Sequence, residues 1–150
     1  MNLGDLFPSD FKERHYKEID LGSAILVEIP DFNIKHKKYA IYFANDNLVE
    51  GNCGLVIINS EINDNVNRNQ YLKSQHVSID VARHKFLDYD SYIDCTQIHN
   101  KGIQEIVDCL VKDPKKLLGN VTPDILLMVH EKLVNSKLIS KKEKIRYSLI

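Results

Sequence analysis

The spacing of apolar residues changes period once along this 150-residue chain, and that change fixes the class of fold it can form. Up to about residue 98 the apolar residues fall in short β-branched or aromatic runs separated by Asn, Asp, Gly and Pro. These are residues 21–30 (LGSAILVEIP), 39–44 (YAIYFA), 55–58 (LVII) and the alternating stretch 74–80 (SQHVSID). Branched and ring side chains fit a pleated surface, so each run predicts a strand. Residues 84–98 predict one or two more short strands around a turn at Asp90 and Ser91. From Asn100 the spacing is helical, with Ile103, Ile106, Val107, Leu110 and Val111 on one face and Gln104, Glu105, Asp108 and Lys112 on the other. Thr122-Pro123-Asp124 combines a hydroxyl cap, a proline at the first helical position and an early carboxylate, and predicts a second helix to about Ser136. Ser140 with Glu143 is a capping-box pattern for a third.

Strands first and helices last predict an α+β fold, a small, strongly bent antiparallel sheet followed by C-terminal helices. The expected organisation is one domain: an arm over residues 1–20 with a short helix capped by Ser9 or Asp10, the sheet over 21–98 and the helices over 100–150. The polar stretches 31–38 and 59–70 read as connections, the second long enough to suggest function or mobility.

A formal charge of -1 and a pI near 6.6 supply no global attraction to phosphate, so any nucleic-acid contact must come from a local patch. Cys53, Cys95 and Cys109 are odd in number and form no C-x-x-C pair, which predicts buried free thiols in a reducing compartment. With no apolar run of membrane length and a polar N-terminus, the expected location is cytoplasmic. His76, Ser78 and Asp80 alternate along one strand face and do not converge as a nucleophile and base must. Cys95 and His99 lack the second ligand pair that a zinc site needs, so no metal or other cofactor is expected. Phe86, Tyr89 and Tyr92 read as sheet packing, with stacking on bases as the alternative.

Three stretches, HKKYAIYFA (residues 36–44), LVIINSEIN (55–63) and HVSIDVARHKFLDYDSYIDCTQIHN (76–100), resemble in order and character the PemK/MazF-like toxins. GSAILVEIP is similar to that family's opening strand, and KKLLGNVTPDILLMVHEKLV to its ending. The resemblance implies an SH3-like barrel followed by helices, homodimerisation, an antitoxin partner and metal-independent endoribonuclease activity on single-stranded RNA. It places the catalytic functions on Lys37 or Lys38 and on Ser60. Lys35, His36, Arg68 and Arg83 are the candidate nucleic-acid contacts. The family's arginine is here a lysine and its following proline is Tyr39, so a bidentate guanidinium fork is replaced by a mobile ammonium. That substitution motivates the alternative, a PemK-like binding or regulatory module without catalysis.

Overall fold

The structure is a computed structural model that describes the backbone of residues 19–31 and 34–150, and their side chains except at residues 29–31 and 34–36. The helix expected before residue 20 lies outside the described residues. Six strands are present: β1 (Ser23–Asp31), β2 (Ile34–Asn45), β3 (Asn52–Asn59), β4 (His76–Ile79), β5 (Ser91–Gly102) and β6 (Leu117–Asn120). The α-helices among the described residues are α1 (Gln70–Ser74), α2 (Ile103–Lys112), α3 (Pro123–Val134) and α4 (Lys141–Arg146). All neighbouring strands run antiparallel in the order β4-β5-β3-β2-β1-β6, and the sheet curls into a half-barrel. The α+β class read from the periodicity is therefore the observed one.

Both faces of the sheet are covered, which explains why the central strand YAIYFA is apolar throughout instead of alternating with polar residues. Ile41 and Phe43 of β2 join Val56, Ile58, Val77, Ile79 and Ile93 beneath Ile125, Val129 and Leu133 of α3. Ala40 and Tyr42 face the other way, joining Ile25, Leu55 and Ile57 beneath Ile103, Ile106, Val107 and Leu110 of α2. Gly54 is required where the first face is tightest, since a Cβ there would sit 2.9 Å from the Tyr147 ring and 3.0 Å from that of Phe43.

The structure differs from the sequence reading at several points. Residues 31–38 do not form a polar connection but belong largely to a long β1–β2 hairpin, in which Lys37 lies across from Glu28 and Lys38 across from Val27. Unlike charges on facing positions make that end of the hairpin compatible with lysines. Residues 80–90 form a loop and β5 is a single strand, because Asp90 accepts from the Val81 N–H (2.9 Å) and Leu87 is buried from the loop as an anchor. The sheet extends to Gly102, past Asn100, and β6 falls between helices. The start of α3 uses no hydroxyl cap from Thr122; instead its N–H donates to Nε2 of buried His84 (3.1 Å), whose Nδ1 lies 2.8 Å from the Asp80 carbonyl. Ser140 does cap α4, accepting from the Glu143 N–H at 3.1 Å. Cys53 and Cys95 are buried, and burial pushes both thiols up to about 12. Cys109 is exposed, contrary to expectation, because it falls on the outer side of α2.

A polar clasp ties the C-terminus to the sheet. The buried Asp46 carboxylate accepts from Arg146 Nε (2.9 Å) and Nη2 (2.7 Å), Asn100 Nδ2 (2.9 Å) and the N–H groups of Leu48 and Val49. Arg146, then the Asn100 amide and the two backbone N–H groups, hold this carboxyl well below the usual range against the opposing effect of burial. Because the folded-state pKa lies below the unfolded value of about 3.9, the clasp stabilises fully above that value and is lost as pH falls below it. Asp46→Ala is expected to lower the melting temperature by roughly 5 °C at pH 7. It should also flatten the decline of melting temperature between pH 5 and pH 3; calorimetry giving parallel declines in variant and wild type would contradict this.

Candidate functional site

A groove of about 660 Å³ crosses one end of the three central strands. The start of β2 contributes Lys37, Lys38 and Tyr39, and the end of β3 contributes Ile58 and Asn59 before the chain runs out through Ser60, Glu61, Asn63 and Asn67. The loop ahead of β5 supplies Asp88 and Tyr89, and β5 itself supplies Ser91, Asp94, Gln97 and His99. A large bulge positions the last two: Ile57 pairs with Asp94 and Leu55 with His99, so two steps along β3 are matched by five along β5. Bulges re-aim side chains in this way at the rims of sheets.

Lys37, Lys38 and Ser60 thus line one groove, though the pleat distributes them. Tyr39 pairs with Ile58, and Lys38 Nζ reaches Asn59 Oδ1 at 3.4 Å across the same pair of strands. Side chains alternate along a strand, so Lys37 and Tyr39 share one face of β2 while the half-buried Lys38 points to the other, where it meets Asn59; Ser60 follows just past the end of β3. Lys37 and Ser60 are both exposed.

The other expected nucleic-acid contacts are dispersed. Lys35 and His36 lie on β2 ahead of the groove lysines, with side chains outside the described residues. Arg68 is exposed in the 59–70 loop and donates from Nε to the Asn65 carbonyl at 3.1 Å. Arg83 does not line the groove: it forks onto Asp80 through Nε and Nη2 (3.0 and 2.9 Å) and reaches Asp124 through Nη1 (3.0 Å). That fork draws the Asp80 carboxyl down to about 2.

Of the remaining groove residues the sequence marks Tyr89 as an alternative base-stacking residue and His99 as a rejected metal ligand, whereas it does not single out the carboxylates. Glu61, Asp88 and Asp94 put three carboxylates beside two lysines, so the groove is mixed in charge and not a basic stripe. Asp94 is braced by the Thr96 N–H and hydroxyl (2.9 and 2.5 Å) and lies 3.7 Å from Nε2 of His76. Tyr89 is 57% exposed at the groove wall, free to stack on a planar ligand, whereas Phe86 is packed against Tyr39 and His84. Among the described residues no group of three or more His, Cys, Asp or Glu is placed to hold a metal ion, and no helix is long and apolar enough to cross a membrane.

No family model and no curated protein matches the chain. A solved structure does: MazE-MazF from Deinococcus radiodurans superposes with a TM-score of 0.53 over 81% of this chain and 98% of that one, at 12% identity. The protein has a MazF-like fold.

The groove's polar residues are surface features of a scaffold that other residues hold. Lys37→Ala and Ser60→Ala are expected to leave the melting temperature within about 2 °C of wild type, while Leu87→Ala, which empties the buried anchor of the wall, costs about 2–4 kcal/mol. Thermal denaturation of the three variants checks the contrast, and strong destabilisation by either of the first two would show a structural role instead.

Proposed function

We propose that the protein is a MazF-like endoribonuclease that cleaves single-stranded RNA without a metal ion, using the groove across β2, β3 and the lead-in to β5. The observation that carries this reading is that Lys37 of β2 and Ser60, just past the end of β3, line one groove beside an exposed tyrosine. The fold likeness to MazE-MazF supports it. In the reaction the 2′-hydroxyl attacks the adjacent phosphorus, the P–O5′ bond breaks, the departing O5′ takes a proton from solvent water, and the products end in a 2′,3′-cyclic phosphate and a 5′-hydroxyl. The Lys37 ammonium offsets charge growing on the non-bridging oxygens, and the Ser60 hydroxyl donates to one of them. A groove carboxylate, Asp88 or Glu61, accepts the 2′ proton, since an RNA strand lying over Tyr89 passes within their reach. Lys38, tied to Asn59 on the other face, positions the strand end and contributes a second, weaker attraction. Lys35, His36 and Arg68 extend the contact along the RNA. Arg83, already paired with two carboxylates, has no direct part in it.

By the same reading the protein acts in the cytoplasm as a homodimer and is held inactive by an antitoxin. Light scattering should give twice the chain mass at micromolar concentration.

The mixed charge of the groove favours a second reading, an RNA- or protein-binding module that keeps the scaffold without catalysis. A lysine where the resembled family has arginine points the same way. The two readings part in one experiment. Purified protein with long RNA and excess chelator should release fragments with cyclic phosphate ends. Lys37→Ala and Ser60→Ala should slow this by about a hundredfold, the usual effect of removing a donor to a developing oxyanion, and Lys38→Ala by less than about tenfold. RNA retained on the protein yet left intact at high enzyme concentration would establish the second reading.

A further inference from the structure

The far edge of the sheet carries a second groove that the proposed nuclease site does not use. Among the described residues β4 is the last strand on its side, paired with β5 alone. The Cys95 N–H donates to the Gln75 carbonyl at 3.0 Å, and His76 pairs with Asp94 in the next register position. In an antiparallel ladder this makes Val77 and Ile79 the hydrogen-bonded residues toward β5. The N–H and C=O groups of His76 and Ser78 therefore face away from the sheet. Exposed edges are normally blunted by lysine, proline or a bulge, and the β4 sequence HVSI contains none of these.

Beside this edge lies a groove of about 490 Å³, walled by β4, by Met128, Glu131 and Lys132 of α3 and by its C-cap Asn135. Those four positions, spaced i, i+3, i+4 and i+7, form one stripe along the helix. Lys137 closes one end, its N–H donating to the Tyr71 hydroxyl at 2.6 Å and its Nζ lying over the Tyr71 ring. Met128 is half exposed although it flanks an apolar core. Two lysines against one glutamate give the groove a net positive wall. Gln75, 6% exposed, also lines it and carries a buried acceptor, Oε1, that has no partner among the described residues. The amide orientation is fixed by its neighbour: Ser74 Oγ donates to the Tyr71 carbonyl (2.6 Å), so it can only accept from Gln75 Nε2 (3.1 Å). An orphaned acceptor is costly, so a donor brought into the groove within reach of Oε1 would be favoured.

We propose that the β4 edge and the flank of α3 dock an extended acidic segment of a partner protein, which adds as a seventh strand. Its main chain pairs with His76 and Ser78, an apolar side chain covers Met128, and carboxylates face Lys132 and Lys137. Strand addition in a strand–helix groove takes its affinity from main-chain bonds and its selectivity from alternate side chains.

The test is titration of the full-length protein with a fluorescein-labelled peptide of alternating glutamate and valine, read by anisotropy and by amide shifts of 15N-labelled protein. Saturable binding with shifts at His76 and Ser78 is expected. The same peptide N-methylated at alternate backbone nitrogens, and the Lys132→Glu/Lys137→Glu protein, should each bind at least about tenfold more weakly. Ser78→Pro, which removes an outward N–H and none of the β5 ladder, should also weaken binding. Absence of binding at millimolar peptide, equal binding of the N-methylated peptide, or indifference to the charge reversal would each overturn the proposal. So would self-association abolished by Ser78→Pro without peptide binding, which would assign the edge to a second copy of the chain.

Discussion

Antiparallel pairing of β3 with β2 on one side and β5 on the other is the constraint on which the rest of the molecule depends. It buries Leu55, Val56, Ile57 and Ile58 on alternating faces, so that two helical layers are needed to cover them. Apolar burial on both faces is worth roughly 1.5–3 kcal/mol per large side chain. A one-residue slip of β3 would exchange the faces and disrupt both layers. The same register carries β2, β3 and β5 to a common end of the sheet, where their polar residues share the groove. Fold and candidate site are thus consequences of one set of hydrogen bonds, and the Asp46–Arg146 clasp secures the last helix onto it.

The groove's chemistry follows from what the pleat does to adjacent lysines. Lys37 and Lys38 cannot act as a pair on one phosphate from the same side, since they project to opposite faces of β2 and Lys38 is held at Asn59. A single ammonium lacks the fork of a guanidinium and holds an oxyanion less rigidly. On the proposed nuclease reading, the nearby carboxylates would limit non-specific attraction to nucleic acid while supplying proton acceptors within the groove.

Much of the fold was legible because local pattern and tertiary role agree. YAIYFA reads as a fully covered strand and is one; Ile103 to Leu110 reads as an amphipathic helix, and Ser140 caps where its spacing with Glu143 says it should. The misreadings fall where partners distant in sequence decide. Lys35 to Lys38 look like a solvated loop until Glu28 and Val27 are placed opposite Lys37 and Lys38. Phe86 and Leu87 look like a strand until Asp90 folds the loop back and Leu87 becomes its anchor. LLGN is too short to carry a period, so β6 left no signal. Cys109 was readable, because it lies off the stripe that contains Ile106 and Leu110. The candidates Lys37, Lys38 and Ser60 came from likeness to a family, whereas Asp88, Asp94 and His99 enter the groove only through the strand order β5-β3-β2, a non-local fact.

The most direct measurement of the central claim is a crystal structure of the protein with a single-stranded RNA whose 2′-hydroxyls are replaced by hydrogen, so that it binds without being cut. A backbone phosphate within hydrogen-bond distance of both Lys37 Nζ and Ser60 Oγ, with a base against Tyr89, is the predicted result. An oligonucleotide seated elsewhere, or phosphates that approach neither side chain while the groove stays closed to them, would contradict it.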